Sequence, residues 1–260
     1  MKLKLLHIGL GKTGSTTLQK EIFPEISSHY NIKFFNQDID QKKKSFHILE
    51  NESDFEKKLP NSFIFSNENL FSYDWEFVKV EKYFNLIKKN FSKDTIILLV
   101  LRNPFELLNS IYTQRISQME TNTPENFFFL GKEINSEFKL NKYNLYNFDY
   151  RKIINLYKSH FDNVLIIKYE NLKKLQFIKE MFNPEDIFFK KLQNKFNVIQ
   201  HNRSISKNGI EFILFLSKFL NLKKIDSSIR KKIKPSNRFL GKVKNVIFKQ
   251  FLIPEFFKDK

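Results

Sequence analysis

Short apolar runs alternate with amphipathic segments along most of the chain. Three runs are continuous and flanked by polar residues or glycine, namely residues 3–9, 95–101 and 163–169. Such runs are typical of buried strands in a parallel sheet. A fourth, shorter strand is predicted within residues 62–71, where a polar turn follows it.

The segments between these strands have the spacing of helices. The run from Ser15 predicts a helix that ends at Pro24, and Asn103 and Pro104 predict the cap and first position of another. Further helical patterns cover residues 78–91, 103–117, 146–161 and 209–221. Because strands and helices alternate, we predict an α/β fold of three layers, with a central parallel β-sheet flanked by helices.

The composition limits the chemistry. A chain of 260 residues is long enough for one sizeable core, so we predict a single domain over residues 1–260. No apolar run approaches the length of a membrane span, and the N-terminal run lacks a signal-peptide cleavage site, which favours a cytoplasmic protein. The absence of cysteine excludes disulfides and thiolate ligands, and the five histidines lack metal-ligand spacing. We therefore expect no metal site, with the histidines at the surface or at the edge of the core.

The net charge of +17 is weak evidence by itself, because the chain has no alanine and is rich in Lys, Asn, Ile and Phe. Residues 223–260 form a basic C-terminal segment with twelve Lys or Arg and three Asp or Glu, a net charge of +9. This asymmetry suggests an anionic partner. Residues 242–257 mix basic and large apolar residues. They fit peripheral contact with an anionic membrane, although a helix docked on the sheet with a solvated basic face is favoured.

Residues 7–19, HIGLGKTGSTTLQ, follow the first predicted strand and open the first predicted helix. A Walker A loop reads GxxxxGK[ST], and Gly9 and Gly14 keep its glycine spacing. Ser15 follows the second glycine, however, and the lysine lies earlier, at Lys12. The loop keeps the backbone amides and the helix N-terminus that bind phosphate, but it lacks the lysine that reaches a γ-phosphate.

A second anion-binding pattern follows the strand at residues 95–101. Arg102 stands where a P-loop NTPase carries a magnesium-binding aspartate, and Ser110 lies on the following helix. An arginine cannot bind magnesium but can form paired hydrogen bonds with phosphate. The sequence thus predicts two anion sites at the carboxyl ends of adjacent strands.

Together these motifs resemble those of sulfotransferases that use 3′-phosphoadenosine 5′-phosphosulfate (PAPS). The loop resembles the family's 5′-phosphosulfate loop at Lys12, Thr13, Gly14, Ser15, Thr16 and Thr17. Residues 101–114 resemble its 3′-phosphate motif at Arg102 and Ser110, with the Tyr112 and Gln114 of bacterial relatives, and residues 164–172 resemble a later family strand. The resemblance implies a P-loop-NTPase-like topology, PAPS as co-substrate and 3′-phosphoadenosine 5′-phosphate (PAP) as product.

A catalytic base is expected after the strand within residues 62–71. Ser66 and Glu68 match the SxE segment of bacterial relatives, so the resemblance makes Glu68 the candidate base, and His47 remains an alternative. Lys12 is expected near the oxygen that bridges sulfur and the 5′-phosphate, where charge develops. Tyr169 and Glu170 end a predicted strand and are expected to pack or to form ion pairs.

These residues predict a sulfotransferase that modifies a hydroxyl or amine, with a carbohydrate or glycolipid as the expected acceptor. The alternatives are a P-loop kinase for a small metabolite and a basic nucleic-acid-binding protein. The first lacks the Walker lysine and the magnesium aspartate. The second would need aromatic and basic residues interleaved on an exposed surface, whereas the strands are apolar, so no specific nucleic-acid partner is expected. Acceptor specificity is expected from residues 20–60 and 118–148, and the oligomeric state is left open.

Overall fold

The structure is a computed structural model. It describes the following residues of the chain: 3–36, 49, 54–71, 80–117, 128–129, 143–144 and 150–198. The chain divides into two compact units. The first comprises Met1–Leu107, Leu130–Glu133 and Tyr143–Asn202, and the second comprises Leu108–Phe129, Ile134–Lys142 and Arg203–Lys260. The single domain over residues 1–260 stays a prediction.

The first unit is built on a five-stranded parallel sheet. Its strands are β1 (Lys4–Gly9), β2 (Lys33–Asn36), β3 (Phe63–Asn67), β4 (Ile96–Leu101) and β7 (Val164–Lys168). Their order is β2-β3-β1-β4-β7, so the first strand of the chain is central. Every pairing is parallel, which brings the carboxyl ends of all five strands to one edge of the sheet.

Helices connect the strands. The helices and helical turns are α1 (Ser15–Thr17), a π-helical turn (Leu18–Ile22), α2 (Phe23–Tyr30), two 3₁₀ turns (Phe55–Lys58 and Glu68–Leu70), α3 (Val80–Asn90), α4 (Pro104–Ser117), α5 (Tyr150–Lys158), α6 (Tyr169–Leu172), α7 (Gln176–Phe182) and α8 (Asp186–Val198). Two short strands, β5 (Phe128–Phe129) and β6 (Tyr143–Asn144), complete the described elements.

One face of the sheet packs against α2, α7 and α8. Alternate strand residues such as Leu5, Ile64 and Leu98 form a buried cluster with Phe23 of α2 and Ile178 of α7. Successive strand side chains point to opposite faces, and therefore one register sends every second residue into this core.

The opposite face packs against α3 and α5. Phe63 and Phe65, which flank Ile64 in β3, lie 6.3 and 5.9 Å, ring centre to ring centre, from Phe91 at the end of α3. Phe84 of α3 meets Tyr157 of α5 edge to face at 5.3 Å. The predicted three-layer α/β class, with a parallel sheet between two layers of helices, is confirmed.

The described elements confirm most of the predicted segments. All four predicted strands are present, and Asn103 caps α4 by accepting a hydrogen bond at its Oδ1 from the Phe105 amide at 3.0 Å. The predicted helix at 209–221 and the basic segment at 223–260 lie outside the described residues.

The prediction that a helix ends at Pro24 is wrong. The helical path continues to Tyr30 through the π-helical turn, in which the Phe23 amide donates to the Leu18 carbonyl. Proline lacks the N–H that would bond the carbonyl one turn back, and a wider turn just before Pro24 accommodates that gap. The strand β2 was not predicted, because it is a short edge strand of four residues, of which Lys33 is exposed and the other three are half-buried.

In the second unit, the described residues are the part of α4 from Leu108 onward and β5. Leu108, Ile111, Tyr112 and Ile116 of α4 are buried. The Thr113 hydroxyl donates a hydrogen bond to the Asn109 carbonyl at 2.8 Å. Across the described parts of both units, no helix is both long and apolar enough to cross a bilayer.

Candidate functional site

The phosphate loop leaves the carboxyl end of the central strand β1. Lys12 and Gly14 both have left-handed backbone conformations, with φ of 65° and 80°. A Cβ atom at Gly14 would lie 2.6 Å from Leu172 Cδ2, a distance that side chains do not tolerate. The second glycine of the motif is therefore required both by its conformation and by the close approach of α6.

Two hydroxyls of the loop hold its shape. Thr13 Oγ1 and Ser15 Oγ both donate to the Leu10 carbonyl, Ser15 at 3.2 Å, and both residues are buried. The Gly14 carbonyl accepts the amides of Thr17 and Leu18 at 3.0 and 3.1 Å, which starts the helix at Ser15. The amides of the first helical turn have no helical acceptor, as at any helix N-terminus, and this favours anions there. Thr16, also predicted to bind the donor, is half-buried beside them.

Lys12 and Glu68 are close enough to influence each other's ionisation. Burial lowers the pKa of the Lys12 ammonium, the Glu68 carboxylate opposes this shift, and the Arg102 guanidinium adds to it. Burial raises the pKa of the Glu68 carboxyl, and Lys12 partly offsets that shift. Both side chains lie in a partly desolvated setting, in which burial favours the neutral form of each relative to water.

Glu68 begins the 3₁₀ turn after β3 and lies against the start of the loop. A Cβ atom at Gly9 would lie 3.3 Å from Glu68 Cγ and 2.6 Å from Ser15 Oγ. A side chain at position 9 would crowd both Ser15 and Glu68, so glycine there allows the Glu68 side chain to approach the backbone of β1 closely.

Arg102 follows β4, the neighbour of β1 in the sheet. Its Nη1 donates to the Lys12 carbonyl at 3.2 Å, and its Nε donates to Glu106 Oε2 at 3.3 Å. About a fifth of its side chain is exposed. Arg102 thus joins the two strand ends while part of its side chain remains exposed.

Two tyrosines hold Arg102, a role that the sequence analysis assigned to neither. The Arg102 guanidinium carbon lies 4.6 Å from the centre of the Tyr169 ring, and the Tyr150 hydroxyl donates to the Arg102 carbonyl at 2.8 Å. Tyr169, at the start of α6, was predicted only to pack or to form an ion pair. Its partner is 67 residues away in the sequence, so local pattern carries no signal for the pairing.

The expected surface or core-edge position of the histidines is wrong for His7. His7 is fully buried in β1, and burial lowers its pKa to about 3. Its Nδ1 lies 2.7 Å from Ser66 Oγ, which also accepts a hydrogen bond from Gln19 Nε2 at 3.0 Å. The sequence did indicate that His7 is buried, because a histidine inside a continuous apolar strand has to lie in the interior.

The remaining predicted residues lie on α4 of the second unit or outside the described residues. Ser110 is a half-buried residue of α4 in the second unit, where Tyr112 is buried. Their functional assignments, with that of Gln114 on the same helix, stay predictions. His47, the alternative base, lies outside the described residues.

A surface depression of about 570 Å³ lies at the other end of the sheet. Its walls come from the end of α2 and the starts of β2 and β3, and its lining residues are Ser27, Ser28, Asn31, Ile32, Lys33, Pro60 and Ser62. Open α/β sheets bind their ligands at the carboxyl ends of the strands, where the loop, Glu68 and Arg102 lie. We therefore place the candidate site at the loop.

No protein-family model matches the chain, and no curated protein matches it. Among solved structures, it is similar to a sulfotransferase from Alicyclobacillus acidocaldarius, with a TM-score of 0.44 and 14% identity over 89% of this chain and 99% of that one. It is also similar to a fungal RNA kinase, with a TM-score of 0.36 and 15% identity over 77% of this chain and 99% of that one.

Proposed function

We propose that the chain is a sulfotransferase that moves a sulfuryl group from PAPS to a hydroxyl or amine of an acceptor. The observation that carries the proposal is that Lys12 of the phosphate loop and Glu68, whose Cγ lies against Gly9 at the start of that loop, are close enough to shift each other's pKa. A cation for the leaving group and a carboxylate for the incoming group are the two charges that this reaction needs.

In the proposed complex, the loop amides bind the 5′-phosphosulfate of PAPS. Lys12 neutralises the oxygen that bridges sulfur and the 5′-phosphate, where negative charge builds as the bond breaks. Arg102, together with Ser110, binds the 3′-phosphate. The contact of Arg102 Nη1 with the Lys12 carbonyl supports this division, since it brings the guanidinium to the loop that holds the other end of the donor.

The transfer itself is an in-line displacement. The acceptor oxygen or nitrogen attacks sulfur, the bond from sulfur to the bridging oxygen breaks, and PAP leaves with the electron pair. The proton of the acceptor passes to Glu68. The raised pKa of this carboxyl suits the role, because a base of higher pKa takes up a proton more readily than an ordinary carboxylate. The proposed reaction requires no metal.

A kinase would use the same loop differently. It needs a lysine after the second glycine and an acidic magnesium ligand at the end of a strand, and here those positions hold Ser15 and Arg102. Nothing in the described geometry favours a kinase or a nucleic-acid-binding protein.

A carbohydrate or glycolipid acceptor is part of the proposal, together with a cytoplasmic location and peripheral contact with the inner membrane surface through residues 223–260. The net charge of +9 in this segment supports the membrane contact. Co-sedimentation with vesicles that contain anionic lipid tests it. Equal co-sedimentation by a chain lacking residues 223–260 would exclude that segment as the anchor.

The experiment that tests the activity is transfer of labelled sulfuryl from PAPS to a panel of carbohydrate and amine acceptors in EDTA. We expect PAP as product, and we expect Lys12→Ala to lower kcat by about 10²- to 10³-fold. Lys20→Ala is the matched control, because Lys20 lies in the next helical turn but is exposed. Transfer that requires a metal, or that survives in Lys12→Ala, would contradict the proposed chemistry.

A further inference from the structure

A buried hydrogen-bond chain lies directly beneath the phosphate loop. It runs from Gln19 Nε2 to Ser66 Oγ at 3.0 Å, and from Ser66 Oγ to His7 Nδ1 at 2.7 Å. All three residues are buried. None of them has a role in the transfer chemistry proposed above, and polar groups in a core are costly unless they are paired.

The three members belong to the three elements that form the site. His7 lies in β1 two residues before Gly9, where the loop begins. Ser66 lies in β3 two residues before Glu68, and it faces His7 in the register of the sheet. Gln19 lies in the π-helical turn that follows the loop. The chain of hydrogen bonds therefore ties the loop, its helix and the strand of Glu68 together.

The His7 ring also fills the space under the loop. A Cβ atom at Gly9 would lie 3.3 Å from His7 Cε1 and 3.3 Å from Glu68 Cγ. The imidazole edge and the Glu68 side chain thus pack around the same point of the backbone. On the other side, the His7 ring meets Phe23 edge to face at 5.5 Å, which limits its movement.

Gln19 is the second residue of the π-helical turn, a type of turn that recurs at functional sites. Pro24 explains the turn, because it has no amide hydrogen to donate to the preceding turn. The Gln19 side chain is buried, and its amide nitrogen donates to Ser66 from this turn.

We propose that His7 is a positioning residue, which accepts a hydrogen bond at Nδ1 from Ser66 and, with Gln19, fixes Glu68 relative to the loop bearing Lys12. This inference rests on the proposed function, since it assigns the network to the geometry of sulfuryl transfer. His7 acts as a neutral group, and the low pKa that burial imposes keeps it neutral throughout the working pH range. Its Nε2 finds no hydrogen-bond partner among the described residues, so Nδ1 is the atom through which it acts.

The test compares His7→Leu with His7→Asn. Leucine removes the polar atom, whereas the amide of asparagine can reach Ser66 from nearly the place of Nδ1. Displacing catalytic groups by about 1 Å can cost up to about a hundredfold in rate, so we expect His7→Leu to lower kcat by about ten- to a hundredfold. We expect donor KM and PAP affinity to change less than about threefold, and His7→Asn to recover most of the lost kcat.

Ser66→Ala should resemble His7→Leu, because it removes the same hydrogen bond. The control is His29→Leu, since His29 is exposed on α2 and stacks on Phe188 away from the loop. Circular dichroism and thermal unfolding establish that each variant is folded. Nitrogen-15 NMR of the imidazoles gives a readout independent of activity, in which His7 should show an unprotonated Nδ1 that does not titrate between about pH 5 and 9.

The outcomes separate the two proposals. A folded His7→Leu chain with wild-type kcat, or a His7→Asn chain as slow as His7→Leu, would overturn the positioning role and leave the proposed function standing. A wild-type chain that neither binds PAP nor transfers sulfuryl would overturn the function, and the positioning role with it.

Discussion

The guanidinium of Arg102 stacks on the ring of Tyr169, with 4.6 Å between the guanidinium carbon and the ring centre. The same guanidinium donates to the Lys12 carbonyl at 3.2 Å. One face of Arg102 is thus held by α6, Nη1 donates to the phosphate loop and Nε donates to Glu106. The other N–H groups of Nη1 and Nη2 are the donors that we expect to bind an anion.

Removing the Tyr169 ring should weaken anion binding by Arg102. A cation–π contact of this kind contributes about 0.5–2 kcal/mol, so we expect Tyr169→Ala to weaken PAP binding by about three- to thirtyfold. Tyr169→Phe keeps the ring and should bind PAP nearly as the wild type does. Calorimetry measures both, and equal losses in the two variants would show that the hydroxyl, and not the ring, is what matters.

Gly14 should tolerate no side chain. Its φ of 80° and the 2.6 Å between a built Cβ and Leu172 Cδ2 predict that Gly14→Ala destabilises the fold by about 1–3 kcal/mol and distorts the loop. Shortening the Leu172 side chain in a Gly14→Ala, Leu172→Ala double variant should not restore PAP binding, because the backbone strain at position 14 persists. Urea unfolding and PAP titration measure the two effects. Full recovery of binding in the double variant would show that the clash alone matters.

The pH dependence of kcat should reflect the protonation of Glu68. A base acts when it is deprotonated, so kcat should fall as the pH drops through the Glu68 pKa, which burial raises above the ordinary value of 4.5. Glu68→Gln should lower kcat by about 10²- to 10⁴-fold and remove this acidic limb. Glu170→Gln is the control, since Glu170 is an exposed carboxylate on α6. An acidic limb that persists in Glu68→Gln would assign the base to another group.

At the opposite end of the sheet, Glu56 should stabilise the fold. Its carboxylate accepts hydrogen bonds from Lys4 Nζ at 2.5 Å, from the Ser92 amide at 2.6 Å and from Thr95 Oγ1 at 2.9 Å. We expect Glu56→Gln to cost about 1–3 kcal/mol in the free energy of unfolding. Glu81→Gln, which breaks an exposed ion pair with Lys152, should leave stability unchanged.

The Glu56 contribution has a defined pH dependence. Burial raises the pKa of this carboxyl, but the hydrogen bonds from Lys4, Ser92 and Thr95 lower it more, so the folded value lies below 4.5. Its stabilisation is therefore present above the ordinary pKa and disappears as the pH falls through the lowered one. Urea unfolding at several acidic pH values should show the difference between wild type and Glu56→Gln shrinking.

Much of the fold follows from local pattern. Strands β1, β4 and β7 are continuous apolar runs, and such runs have few alternatives to a buried strand. The edge strand β2 carries no such run, since Lys33 begins it and its phenylalanines are half-exposed. The helix end predicted at Pro24 was wrong because a π-helical turn can accommodate a proline when the helix on both sides of it packs on the sheet.

The candidate site was predictable only in part. Lys12 and Arg102 follow strands whose carboxyl ends meet at one edge, so topology alone brings them together. The contact of Arg102 with Tyr169 and the bond from Tyr150 to its carbonyl depend on tertiary packing between distant segments. His7 was visible in the sequence, but its link to Ser66 required the register of β1 against β3.

The most direct test of the central claim is calorimetry in which the chain is titrated with PAP in EDTA and, separately, with ATP and magnesium. The account predicts that PAP binds without metal and that Arg102→Ala weakens this binding, because Lys12 and Arg102 hold the two ends of one nucleotide. Magnesium-dependent binding of ATP without binding of PAP would contradict it.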